Sequence, residues 1–173
     1  GAVMADMKFK FTIQPYQTEA VESVVGVFAG QPFNDRFTYR RDVEIKRDVT
    51  NWMIPEEELY MGFANARVQL DSGQLLNNIR RIQTRNNIKL SETVTTGGLG
   101  TCSLDVEMET GTGKTYVYIK TMFELNKQYG WSKFIVVVPS IAIREGVRKS
   151  FETMQDHFME YYGKKARFFV YDS

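Results

Sequence analysis

The sequence predicts an α/β fold, a mostly parallel sheet carrying helices on both faces and joined by right-handed crossovers. Three observations lead there. From about residue 103 onward, short apolar segments of strand length alternate with longer segments of helical period. One of the short ones, "KFIVVVP" at 133–139, is continuously apolar, as a strand covered by helices on both sides must be. A glycine-rich loop, "ETGTGKT" at 109–115, stands between a strand candidate and a helix candidate.

Composition sets the frame for these elements. The chain has 173 residues, 43% of them hydrophobic and 25% charged, which suits one globular domain with its own core. Its 22 basic and 21 acidic residues leave a net charge of +1, so any polyanion site must be a local patch. A single cysteine, Cys102, cannot form an internal disulfide and fits a reducing cytoplasm; it reads as a small residue packed in the fold. No apolar run approaches a membrane span and no signal-peptide core is visible, so a cytoplasmic protein without membrane contact is expected. Residues 1–6 are expected to be a disordered start, with 1–3 a cloning remnant ahead of Met4.

Taken in order, "PYQTEAVESVVGVF" places Tyr16, Ala20, Val21, Val24, Val25 and Phe28 at helical spacing behind Pro15, a residue suited to a first helical position. Gly30 ends that helix. Residues 31–100 are irregular: "RFTYRRDVEIKRDV" alternates like a strand or hairpin, "LLNNIRRIQ" reads as a short helix, and "TTGGLGT" as a loop. Then come a strand "SLDVEM", a helix "GKTYVYIKTMFELNKQYG", the strand "KFIVVVP", a helix "IAIREGVRKSFETMQDHFMEYYG" and a strand "ARFFVYD". Ile143, Val147, Phe151, Met154, Phe158 and Tyr161 keep one apolar stripe along the last helix.

The loop at 109–115 has the chemistry of a phosphate cradle. Small residues let successive backbone N–H groups converge, and the helix that follows adds its dipole. Thr110, Gly111, Thr112 and Gly113 would hold the phosphates of ATP, Lys114 would place its ammonium on the β and γ phosphates, and the Thr115 hydroxyl would ligate Mg²⁺. The strict motif wants glycine where Met108 stands, but that position lies at the strand end, away from the phosphates. Glu107 and Glu109 flank it; a carboxylate aimed at a triphosphate would repel it, so both read as structural. His157 has no second histidine or nearby cysteine to share a metal and reads as a surface or packing residue.

Two further stretches narrow the reading. "IQPYQTEAV" at 13–21 resembles the adenine-recognising segment of superfamily-two helicases, which implies that Gln17 reads the adenine edge while Tyr16 packs beside it. "VVVPSIAIREGVRKSF" at 136–151 resembles the helicase segment that touches the sugar-phosphate backbone, which implies contacts from Ser140, at a helix N-terminus, and Arg144. Together with "METGTGKTYVYIKTMFELN" these stretches look like the restriction subunit of type III restriction-modification enzymes, over about 7–17 and 104–173.

That resemblance implies a P-loop NTPase of RecA-like fold. Residues 7–173 would form part of the first motor domain, with an insertion at about 31–100 between the opening helix and the phosphate loop. It also implies an ATP-dependent DNA translocase that cleaves double-stranded DNA in the full protein, with a methyltransferase partner. Lys114 and Thr115 would be catalytic, and ATP and Mg²⁺ the cofactors. The chain reaches "VYDS" without the acidic Walker B segment, a second lobe or a nuclease motif, so an N-terminal fragment inactive on its own is expected. Alternatives are another superfamily-two helicase, a type I restriction motor subunit, or a nucleotide- or nucleic-acid-binding module without turnover.

Overall fold

A computed structural model of the chain describes residues 13–34, 38–39, 63–96, 102–108 and 113–170, with 38–39 and 63–64 described by their backbone alone. Among the described residues four helices carry the fold: α1 (Pro15–Gly26), α2 (Ser72–Arg85), α3 (Lys114–Tyr129) and α4 (Ile141–Tyr162). A two-residue antiparallel pair joins β1 (Thr38–Tyr39) to β2 (Phe63–Ala64), with Thr38 opposite Ala64 and Tyr39 opposite Phe63.

Each helix begins and ends for a local reason. Pro15 opens α1 behind Gln14, whose N–H donates to Gln17 Oε1 at 3.0 Å. α2 has a reciprocal box: Gln74 N–H donates to Asp71 Oδ1 at 2.7 Å, and Asp71 N–H donates to Gln74 Oε1 at 2.9 Å. α3 lies between Gly113 and Gly130, both in the left-handed region at φ 77° and 80°. α4 starts at Ser140, whose hydroxyl accepts the Ile143 N–H at 3.2 Å.

α3 is central, packed against α1 on one side and α4 on another, while α2 packs on α1. Val21 and Val25 of α1 meet Val117, Tyr129 and Trp131. Tyr116, Ile119 and Phe123 of α3 meet Phe151 and Phe158 of α4 through stacked rings, Phe123 to Phe158 at 4.8 Å and Phe123 to Tyr162 at 5.1 Å. Val27, Leu70 and Leu75 form a third cluster, against which Cys102 packs half-buried, and burial pushes its thiol up. Complete burial of Leu75 and Ile119 contributes about 1.5–3 kcal/mol each.

Buried amides lock this arrangement. Asn78 Nδ2 donates to the carbonyls of Val27 and Ala29, both at 2.9 Å, tying α2 to the end of α1. Gln31 accepts from Gln69 N–H at 2.7 Å and donates to Arg67 O at 3.1 Å, so its side chain pairs with an extended backbone.

The expected parallel sheet with helices on both faces is not what the described residues form. They are helical, and the short antiparallel pair is their strand pairing. Residues 103–108, 133–138 and 166–170, each expected as a strand, run without a strand partner among the described residues. At the head of the second of these segments other bonds stand in place of a strand's. Ser132 and Lys133 donate their N–H groups to Asn65 Oδ1, both at 3.0 Å, and Lys133 O accepts from Asn65 Nδ2 at 2.7 Å. A side-chain amide therefore takes the backbone bonds that a neighbouring strand would take. Beyond it Ile135 and Val137 are 89% and 87% exposed, so the apolar run is not covered by helices on both faces. The expected hairpin at 36–49 lies mostly outside the described residues, as do 1–6 and the loop residues 97–101.

Candidate functional site

The site is built where α1 begins and α3 begins. Pro15 fixes the first turn of α1, and this places Gln17 on the face toward α3, where it is buried. Gly113 ends the glycine-rich loop at a backbone conformation that L side chains rarely adopt. A Cβ at Gly113 would collide with the side-chain amide nitrogen of Gln17. The two residues, distant in sequence, are therefore in direct apposition, and a side chain at 113 would be strained by the backbone and would displace the Gln17 amide.

Gly113 has no side chain to cap the amides of Lys114, Thr115 and Tyr116, while its carbonyl accepts the Val117 N–H at 3.2 Å. First-turn amides without a side-chain cap, next to a helix dipole, suit an anion. Lys114 is exposed and Thr115 half-buried at this same end of α3. Met108, which replaces the motif's first glycine, packs against the α1–α3 core as an ordinary apolar anchor. Thr110, Gly111 and Thr112 lie outside the described residues, as does Glu109; Glu107 is exposed. The described residues fit Mg²⁺-ATP in their chemistry: uncapped amides at a helix start behind Gly113, a cation, a hydroxyl and a buried amide.

Gln17 is already engaged on its oxygen by Gln14 N–H. An amide pairs an acceptor oxygen with a donor nitrogen, the complement of an adenine N6–H and N7 edge. Tyr16, expected to pack, keeps about half its surface in water.

Ser140 and Arg144 are not brought to this cluster. α3 and α4 run in the same direction, since Tyr116 meets His157, Phe123 meets Tyr162, and Asn126 accepts from Lys164. Helical rise then puts Ser140 about 25 Å, and Arg144 about 20 Å, beyond the level of His157 along α4. The Arg144 guanidinium lies 3.8 Å from Glu145, while Arg148 bridges Glu145 and Glu152, both at 3.7 Å. All are surface pairs of small energetic value.

One polar network has no motif behind it. Tyr116 hydroxyl lies 3.2 Å from His157 Nε2, and the buried Lys120 sits over the Tyr161 ring at 5.1 Å. Tyr162 hydroxyl donates to Glu124 Oε1 at 2.8 Å. Burial first, then the Lys120 charge, holds His157 below its ordinary value, with Glu160 opposing. Burial, then the Glu124 bond, drives the Tyr162 hydroxyl far up. His157 is thus a packing residue. The sequence carried a signal for this seam only in the i, i+4 recurrence of Tyr116, Lys120 and Glu124. Among the described residues no group of acidic, histidine or cysteine side chains could hold a metal, and no helix is long and apolar enough to cross a membrane.

A family model described as "Type III restriction enzyme, res subunit" matches residues 10–169. The chain is similar to the Res subunit of the Escherichia coli type III restriction-modification enzyme EcoP15I, 39% identical over 112 residues, covering 64% of this chain and 11% of that protein. It is 35% identical over 111 residues to the EcoPI Res subunit of Escherichia phage P1, covering 63% and 11%. It is 50% identical over 62 residues to the StyLTI Res subunit of Salmonella typhimurium, covering 35% and 6%. The chain thus spans about a tenth of the length of the first two relatives.

Proposed function

The chain belongs to the res-subunit family of type III restriction enzymes, and from that premise we propose that it carries the ATP-binding end of a DNA-translocating motor. The observation that carries the proposal is the apposition of the Gln17 amide and Gly113 at the start of α3. It puts an amide that can read a base edge next to a cradle that can hold phosphates. Gln17 selects adenine; the amides that follow Gly113, with Thr110, Gly111 and Thr112 before it, hold the phosphates. Lys114 neutralises charge on the β and γ phosphates and Thr115 offers its hydroxyl to Mg²⁺.

Bound ATP with its Mg²⁺ supplies a phosphoryl group for transfer to water. The chain's own residues position it and screen its charge. In the whole protein, hydrolysis drives movement along double-stranded DNA that ends in cleavage, and a methyltransferase partner supplies sequence recognition. Ser140 and Arg144, on the far part of α4, contact the DNA backbone. The motor works in the cytoplasm.

Calorimetric titration of Mg²⁺-ATP and Mg²⁺-GTP tests the reading. Wild type binds ATP in preference to GTP, Gln17→Ala loses the preference, and Lys114→Ala loses most of the binding to both. Equal binding of the two nucleotides by wild type and Gln17→Ala removes the adenine-reading role. Undiminished binding by Lys114→Ala removes the phosphate loop.

A further inference from the structure

A second concavity lies at the other end of α3. It has a volume of about 260 Å³ and is lined by Phe33, Phe123, Tyr161, Tyr162, Lys127 and Lys164, with Asn126 at its side. Lys127 is in the last turn of α3, so helical rise puts it about 21 Å from Gly113. It is a separate site.

Its chemistry is that of rings and cations. Phe33 and Tyr161 leave 60% and 56% of their surfaces in water, although both belong to the cavity wall. Tyr161 is held as a fixed platform, with the Tyr162 ring 4.8 Å away and the Lys120 ammonium 5.1 Å from its centroid. Lys164 is fixed at the rim by donating to Asn126 Oδ1 at 2.9 Å. None of the described lining residues carries a carboxylate, and the nearby Glu124 is engaged by Tyr162 hydroxyl. Two exposed rings and two ammonium groups complement a flat ring bearing negative charge. A peptide is the poorer match. Its backbone needs several donors and acceptors in register, and the one amide here already holds a bond at each end, Asn126 Nδ2 donating to Trp131 O at 2.9 Å and Oδ1 accepting from Lys164, which leaves it one N–H and one lone pair.

We propose that this cavity binds a nucleoside phosphate unit, its base stacked on Tyr161 and Phe33 and its phosphate between Lys127 and Lys164. The same unit is offered by single-stranded nucleic acid and by a free nucleotide.

Fluorescence anisotropy with labelled dT12, and with unlabelled dTMP as competitor, tests the site. Wild type binds dT12, and Tyr161→Ala weakens binding about tenfold. The double reversal Lys127→Glu/Lys164→Glu abolishes it. One phosphate neutralised on a single strand gives log K a slope of about −0.7 against log salt, which the double reversal removes. Both lysines are exposed, so the reversal keeps the fold, and far-UV circular dichroism checks it. Competition by dTMP at micromolar concentration assigns the site to free nucleotides; dT12 binding without such competition assigns it to single strands. No binding of either ligand by wild type, binding unchanged in the charge reversal, or capture of only an acidic aromatic peptide such as Asp-Trp-Asp overturns the proposal.

Discussion

Replacing Gly113 by alanine isolates the apposition on which the nucleotide site depends. Gly113 sits at φ 77°, where a non-glycine residue costs about 1–2 kcal/mol. The new Cβ also occupies the space of the Gln17 amide nitrogen, so that side chain must leave its place. Leaving breaks the bond from Gln14 N–H to Gln17 Oε1, with a net contribution of about 1 kcal/mol. The sum is a destabilisation of about 2–3 kcal/mol in urea unfolding. In a Gln17→Ala background the obstacle and its hydrogen bond are already gone, so the same change costs only the backbone part, about 1–2 kcal/mol. The two changes should therefore couple by about 1 kcal/mol in a double-mutant cycle. Additivity within about 0.3 kcal/mol would refute the direct contact. A Gly113→Ala protein as stable as wild type would refute the left-handed geometry as well.

Other consequences follow from the same structure. Asn78→Ala leaves the carbonyls of Val27 and Ala29 without their buried donor and should lower stability by about 1–3 kcal/mol, read as a lower urea midpoint at unchanged slope. Ile119→Ala, at a fully buried position between α3 and α4, should cost about 2–5 kcal/mol in the same assay. His157 is held below its ordinary value of 6.5 in the folded chain, so the unfolded chain binds the proton more readily. Stability from this group is then present above pH 6.5 and is lost as pH falls through the folded value. His157→Gln should flatten that part of the stability profile.

The helices were legible because their signals are local. Periodic apolar residues and flanking glycines mark α3 within the bounds Gly113 and Gly130, and Pro15 with the Val21 and Val25 spacing marks α1. On α4 the stripe holds at Phe151 and Phe158 but not at its ends, where Ile143 and Tyr161 remain exposed. The parallel sheet that the sequence predicts is absent among the described residues because an apolar run reports hydrophobicity and not pairing. "FIVVV" has the composition of a buried strand, yet the backbone just before it bonds to the amide of Asn65, a residue with no mark in the sequence.

The site divides in the same way. Gly113 and Lys114 stand in one contiguous motif and could be read directly. The meeting of Gln17 with Gly113 is a tertiary event that no local pattern marks; the resemblance to helicases implies only an adenine-reading role for Gln17. The Tyr116–His157 and Tyr162–Glu124 bonds join residues of two helices whose relative level no periodicity specifies.

The central claim is that ATP lies across the starts of α1 and α3. Backbone hydrogen exchange measured with and without Mg²⁺-ATP tests it most directly. The account predicts slower exchange at the amides of Gln17 and Thr18 and of Lys114, Thr115 and Tyr116, with no change at the C-terminal turn of α3. Protection confined to other segments, or none at the start of α3 under saturating nucleotide, would contradict it.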